Sequence, residues 1–247
     1  MKRIVLLVIC CLLAAAMFTG CYTVSVPSLW GHRVTGRGAM ETYSFNVGEL
    51  TDVRVELLCD IVYSSAPSAG VTLEIQPNLM RYLSVEESGG VLTVRSTRNI
   101  RWSSNANTPV LTVSAPSLNS VSHAGAGSFR TVDPIVADSF SLSISGAANS
   151  RAVLDVNSLY VSLAGTGTLD LSGRADETHV GIAGAGKLNA LDLVTRDSMI
   201  NLAGVGTVRI GCTGNLSVSA GGVGTVEYRG SPRVDVSRGG LVTVRSV

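Results

Sequence analysis

One phrase recurs seven times between residues 121 and 245, and its period constrains the fold more tightly than any other property of the chain. It reads apolar-x-apolar-small-Gly-x-Gly-x-apolar with some slippage, the second Gly being replaced by Ala148 and Val242 in two copies. The copies are VSHAGAGSF (121–129), LSISGAANS (142–150), VSLAGTGTL (161–169), VGIAGAGKL (180–188), INLAGVGTV (200–208), VSAGGVGTV (218–226) and VSRGGLVTV (236–244). The shared glycine falls at Gly125, Gly146, Gly165, Gly184, Gly204, Gly222 and Gly240, in steps of 21, 19, 19, 20, 18 and 18 residues. A fixed short period of this kind means stacked units, each too small to bury its own apolar face.

Each column of the alignment has a physical assignment. Four residues before the glycine stand Val121, Leu142, Val161, Val180, Ile200, Val218 and Val236; four after it stand Phe129, Ser150, Leu169, Leu188, Val208, Val226 and Val244. Positions of the same parity between them are apolar, whereas helical spacing does not recur, so the units are β-strands with one face turned to a core. The opposite parity carries Ser128, Asn149, Thr168, Lys187, Thr207, Thr225 and Thr243, then Arg130, Arg151, Asp170, Asn189, Arg209, Glu227 and Arg245. These should meet solvent. A propeller blade needs about 40 residues, so the period points to an all-β fold, a right-handed parallel β-helix. The seven glycines then mark a sharp bend repeated in every layer, required either by positive φ or by backbone packed against backbone.

Residues 44–120 alternate as strands (VRVELL, VTLEIQ, VLTVRS, VLTVSAPSL) but lack the glycine phrase. They are expected to begin the solenoid and cap its first end, because an open sheet edge recruits other chains. The last segment, LVTVRSV, shows no cap, which leaves edge-to-edge self-association open at that end.

The N-terminus is a targeting segment. Lys2 and Arg3 precede an apolar run from Ile4 to Met17, too short to span a bilayer and suited to a signal peptide over 1–20. Phe18-Thr19-Gly20-Cys21 resembles a bacterial lipobox with Phe18 in place of the usual Leu, so Cys21 is the expected lipidation site and the membrane the expected partner. Residues 21–43 mix Pro, Gly and polar groups without periodicity and read as a tether, leaving 44–247 as a single domain. Tyr22 after Cys21, rather than Asp, favours the outer membrane; the absence of acidic residues in YTVSVPSLWGHR favours its periplasmic face.

Loss of the signal removes two of 19 basic side chains against 18 acidic ones, so no basic surplus survives and nucleic acid is not expected as a partner. Cys59 and Cys212 would remain in an oxidising compartment, where a bridge can form, but they lie in different halves of the chain and inert thiols are favoured. Neither has a CxxC or Cys/His neighbour, so no metal is expected.

The catalytic inventory is thin: His32, His123 and His179 have no evident nucleophile and acid beside them. Asp170 and Glu227 share a column three layers apart, roughly 14 Å at about 4.8 Å per layer, beyond the two-carboxylate spacing of glycoside hydrolysis. Gly181-x-x-Gly184-x-Gly186 has no following helix to hold a dinucleotide, and Gly221-Gly222-Val223-Gly224 lacks the Asp of a calcium roll at Val226. No cofactor is expected. The candidate interaction surface comprises Trp102, in the polar loop RNIRWSSNANT, with Arg130, Arg151 and Arg209.

The order of lipobox, strand-rich opening, the Pro-containing strand VLTVSAPSL and then SGAGS-like turns resembles the head GIN domain family of putative auto-transporter adhesins, over about residues 44–247. The resemblance implies a right-handed β-helix on an envelope lipoprotein and supplies no catalytic residues. The expected function is non-enzymatic: a tethered solenoid presenting polar ladders to a protein or glycan. The rival is a polysaccharide lyase or hydrolase on the same scaffold.

Overall fold

The computed structural model describes residues 32–98, 100–103 and 107–247. The expected signal peptide and Cys21 lie outside the described residues. Arg33–Val247 makes one compact unit. Its opening part carries β1 (His32–Val34), β2 (Glu41–Phe45), β3 (Asp52–Glu56), β4 (Cys59–Ser65), β5 (Gly70–Ile75), a single helical turn α1 (Pro77–Met80), β6 (Leu83–Ser88), β7 (Val91–Ser96), β8 (Ile100–Trp102) and β9 (Val110–Ala115). The repeat region carries β10 (Ser120–His123), β11 (Ala126–Thr131), β12 (Ile135–Ile144), β13 (Ala147–Leu163), β14 (Thr166–Ile182), β15 (Ala185–Leu202), β16 (Val205–Ala220), β17 (Val223–Arg229), β18 (Arg233–Arg238) and β19 (Leu241–Ser246).

The repeats build a β-solenoid. Val121, Leu142, Val161, Val180, Ile200, Val218 and Val236 are register partners in successive parallel layers. So are Phe129, Ser150, Leu169, Leu188, Val208, Val226 and Val244. All but the final members of each column are buried. Each fully buried Val, Leu, Ile or Phe contributes roughly 1.5–3 kcal/mol, and stacking like on like leaves no layer stable alone. Strands β13 to β15 run 17 or 18 residues, nearly a full turn, because the chain rounds its corners without leaving the ladder.

Two polar residues interrupt the core. His123 is fully buried, with Nε2 3.3 Å from the Leu57 carbonyl oxygen; burial pushes its pKa below the ordinary histidine range, so it sits neutral. Ser150 is buried in the column otherwise held by Phe129 and Leu169, and its Oγ has no partner among the described residues.

The glycine columns answer the choice that the sequence leaves open. A Cβ on Gly165 would lie 2.0 Å from the carbonyl oxygen of Gly146, one on Gly184 2.0 Å from that of Gly165, and one on Gly222 1.8 Å from that of Gly204. Of the seven only Gly146 has a positive φ, 157°. Close approach is therefore the shared requirement. It lets each corner carbonyl accept a hydrogen bond from the layer above: Thr166 N–H donates to Gly146 O at 2.8 Å, and Ala185 N–H to Gly165 O at 2.9 Å.

The opening strands cap the stack, but out of chain order. β3 pairs with β10 on one edge and with β7 on the other, and β4 likewise lies between β11 and β9. The layer built later thus sits outside the layer built first. Antiparallel β6 on β7, β5 on β9 and β2 on β5 then end the parallel run. The tether drawn over residues 21–43 needs correction at its far end. Asn78 Nδ2 donates to Thr35 O at 2.8 Å and accepts from Arg37 N–H at 2.8 Å, while Glu41–Tyr43 already pair in β2. The Asn78 side chain of α1 holds this segment against the cap.

Candidate functional site

The arginine column becomes a ladder of mixed charge along β11, β13, β14, β15, β16, β17 and β19. Arg130 and Arg151 are register partners, as are Arg151 and Asp170, Asp170 and Asn189, Asn189 and Arg209, Arg209 and Glu227, and Glu227 and Arg245. Asn189 Nδ2 donates to Asp170 Oδ1 at 2.7 Å, and Arg151 approaches Asp170 only to 3.8 Å. Glu227 is the tightest point. Arg245 and Arg209 both donate to its carboxylate, the latter through Nε at 2.6 Å, and the Glu227 side chain is left 5% exposed. The Arg245 and Arg209 guanidiniums hold its pKa below the usual carboxylate range.

Midway along this ladder the layers are unequal. The β14–β15 register shifts between Asp170 and Ser172, and the β15–β16 register between Ala190 and Val194. The 20-residue step from Gly184 to Gly204 supplies the extra residue, which emerges as a bulge at residues 190–193. Bulges re-aim side chains and break the flatness of a sheet. Here the bulge walls a shallow cleft of about 410 Å³, whose polar lining includes Arg151, Lys187, Arg209, Asp170, Asn189 and Asp192. No ion pair holds Lys187 among the described residues. Arg209 is partly committed to Glu227 and Arg151 only loosely to Asp170. The cleft can therefore take an anionic group on Lys187 and Arg151 while its carboxylates accept from neighbouring hydroxyls.

Of the residues singled out in the sequence, Arg151 and Arg209 come together in this cleft. Arg130 stands one layer below Arg151 and does not line it. Trp102 is elsewhere, on β8: it is partly buried and packed against the core, not an exposed contact. Cys59 and Cys212 are separate buried thiols, and burial pushes Cys59 up to about 12, so neither is poised to react. Lys187, Asn189 and Asp192 were missed as a group. The signal was present, since the 20-residue step is followed by one of 18.

The family model described as putative auto-transporter adhesin, head GIN domain, matches residues 49–232. The chain belongs to this family. Solved structures share the head GIN fold. A putative adhesin from Bacteroides fragilis superposes with a TM-score of 0.82 at 21% identity, covering 87% of this chain and 100% of its own. A putative adhesin from Parabacteroides merdae gives 0.65 at 20%, covering 88% and 100%. A putative lipid binding protein from Parabacteroides distasonis gives 0.67 at 18%, covering 87% and 99%. No curated protein matches the sequence. At these identities the structures establish the head GIN scaffold, and the cleft is argued from this chain's own residues.

Proposed function

We propose that this chain is a non-enzymatic, adhesin-like lipoprotein of the cell envelope, anchored through Cys21 at the periplasmic face of the outer membrane, whose solenoid binds a glycan or protein partner. The observation that carries the reading is the cleft beside the β15 bulge, where Arg151 and Lys187, which has no ion pair among the described residues, face outward beside Asp170 and Asp192. It supports capture of an anionic group on the partner. The family's description and the lipobox support the envelope location.

A hydrolytic reading needs one carboxyl group with a raised pKa to protonate the leaving oxygen. Glu227, the buried carboxylate of the same ladder but outside the cleft lining, has the reverse, locked between two guanidiniums. The test uses the whole protein in detergent against a panel of acidic polysaccharides. Binding should weaken with added salt and fall about tenfold in the Arg151→Ala/Lys187→Ala double variant. Cys21→Ala should move the protein from the membrane to the soluble fraction, and protease added to intact cells should leave the native protein uncut. Release of reducing ends or unsaturated sugars from the panel would replace this reading with an enzymatic one.

A further inference from the structure

A different outer face of the solenoid carries the feature that the arginine ladder does not explain. Five residues before the shared glycine the side chains run Ser120, Ser141, Tyr160, His179, Met199, Ser217 and Asp235, and these are register partners in successive layers. In a column of serines, three large side chains stand in consecutive layers. Tyr160 is 46% exposed and Met199 45%. The Tyr160 ring stacks on the His179 imidazole, with centroids 5.0 Å apart and planes 7° from parallel. That stack covers one face of the phenol. The other face looks back at the layer of Ser141, whose side chain is too short to cover it.

The open ring face stands over a ledge of hydroxyls. Ser139 and Ser158 flank it on one side, Ser143 and Ser162 on the other, and Ser141 forms the floor. All five are exposed or half-buried. Among the described residues none of these five hydroxyls bonds to another protein group, whereas Ser120, one layer before Ser141 in the same column, is taken by Asp52. No cation occurs among the ledge residues; the nearest charges in register are carboxylates, Glu177 beside Ser158 and Asp52 beside Ser120, and Asp138, beyond Ser139, accepts from Asn157 Nδ2 at 2.6 Å. At the far end of the ring column a hollow of about 230 Å³ lies between His179 and Met199 on one side and Glu177 and Asp197 on the other. It extends the strip along the solenoid axis.

We propose that the open face of Tyr160, with the serine hydroxyls around Ser141, is a binding subsite for a neutral pyranose ring of an oligosaccharide. The chemistry selects that ligand. An aromatic face held upright by the stack behind it offers dispersion and apolar contact to the C–H face of a sugar at little entropic cost. Serine hydroxyls both donate and accept, as a ring of sugar hydroxyls requires. A phosphate or uronate would find no cation on the ledge, in contrast to the arginine cleft. This inference rests on the reading of the solenoid as a ligand-binding surface and gives that surface a second, chemically distinct site.

The experiment titrates the whole protein in detergent with neutral gluco-, manno-, galacto- and xylo-oligosaccharides. At least one should bind; Tyr160→Ala should weaken it about tenfold, Tyr160→Phe should retain it, and Ser141→Tyr, which occupies the ledge with a ring, should abolish it at unchanged melting temperature. The Arg151→Ala/Lys187→Ala variant should bind the same sugar normally. Absence of neutral-sugar binding, or binding indifferent to Tyr160→Ala and Ser141→Tyr, overturns the subsite while leaving the arginine cleft standing. Loss of acidic-polysaccharide binding as well would overturn both readings.

Discussion

A methyl group on Gly165 would sit 2.0 Å from the carbonyl oxygen of Gly146, against backbone that cannot step aside without breaking the corner hydrogen bond at Thr166 N–H. On Gly181 the same methyl would meet nothing nearer than 3.9 Å. The repeat alignment already separates them: Gly165 is in the shared glycine column, and Gly181 is in a column otherwise held by Ser and Asn. Gly165→Ala should therefore cost about 1–3 kcal/mol or more, the usual range for forced overpacking, while Gly181→Ala should stay within about 0.5 kcal/mol of the native protein. Urea unfolding of the two variants checks this, and equal midpoints would contradict the close-approach account. The glycine phrase was legible as a corner. Its cause was not, because the atom that excludes the Cβ belongs to the layer below, some 19 residues earlier in the chain.

Strands are coupled through their outward ladders as well as their core columns, and the Glu227 clamp ties β16, β17 and β19 into one unit. The Arg245 and Arg209 guanidiniums hold the Glu227 pKa in the folded protein below the ordinary glutamate value. The stabilisation is therefore present above that value and is lost as pH falls through the lower folded value. Glu227→Gln should be less stable than the native protein at about pH 6, and the gap should close towards about pH 3. A gap of the same size at both pH values would mean that the carboxylate's charge contributes nothing. Alternation of parity foretold that the Arg/Asp/Glu column faces outward, and it does. Burial of Glu227 beneath its two arginines was not foretold, since side chains from neighbouring layers provide the cover. The cleft was half legible: Arg151 and Arg209 stood out as cations in one column, but the bulge that joins them to Lys187 and Asp192 depends on where an extra residue emerges in a layer.

The two ends of the solenoid are built differently, and in a one-dimensional stack the ends govern where opening begins. At the first end β6, β5 and β2 turn antiparallel and close the run, an arrangement whose strand types were readable but whose order was not. Long-range pairing of β7 beside β3, and of β9 beside β4, leaves no local pattern in the sequence. At the other end β18 pairs with β16 and β19 with β17, and no residue register joins either to a further strand among the described residues. Leu241 is 80% exposed, and Val236 and Val244 are only partly buried. Each terminal strand thus has a neighbour on one side and solvent on the other, whereas β14 and β15 are paired on both edges along almost a full turn. Amide hydrogen exchange should show β18 and β19 exchanging through local opening, with free energies well below those of β13 to β15, and β3 and β4 protected like the middle layers. Uniform protection across β13 to β19 would mean that the last layer is covered, by a second copy or by another chain, and size-exclusion at two concentrations would distinguish a self-associated edge from a lone solenoid.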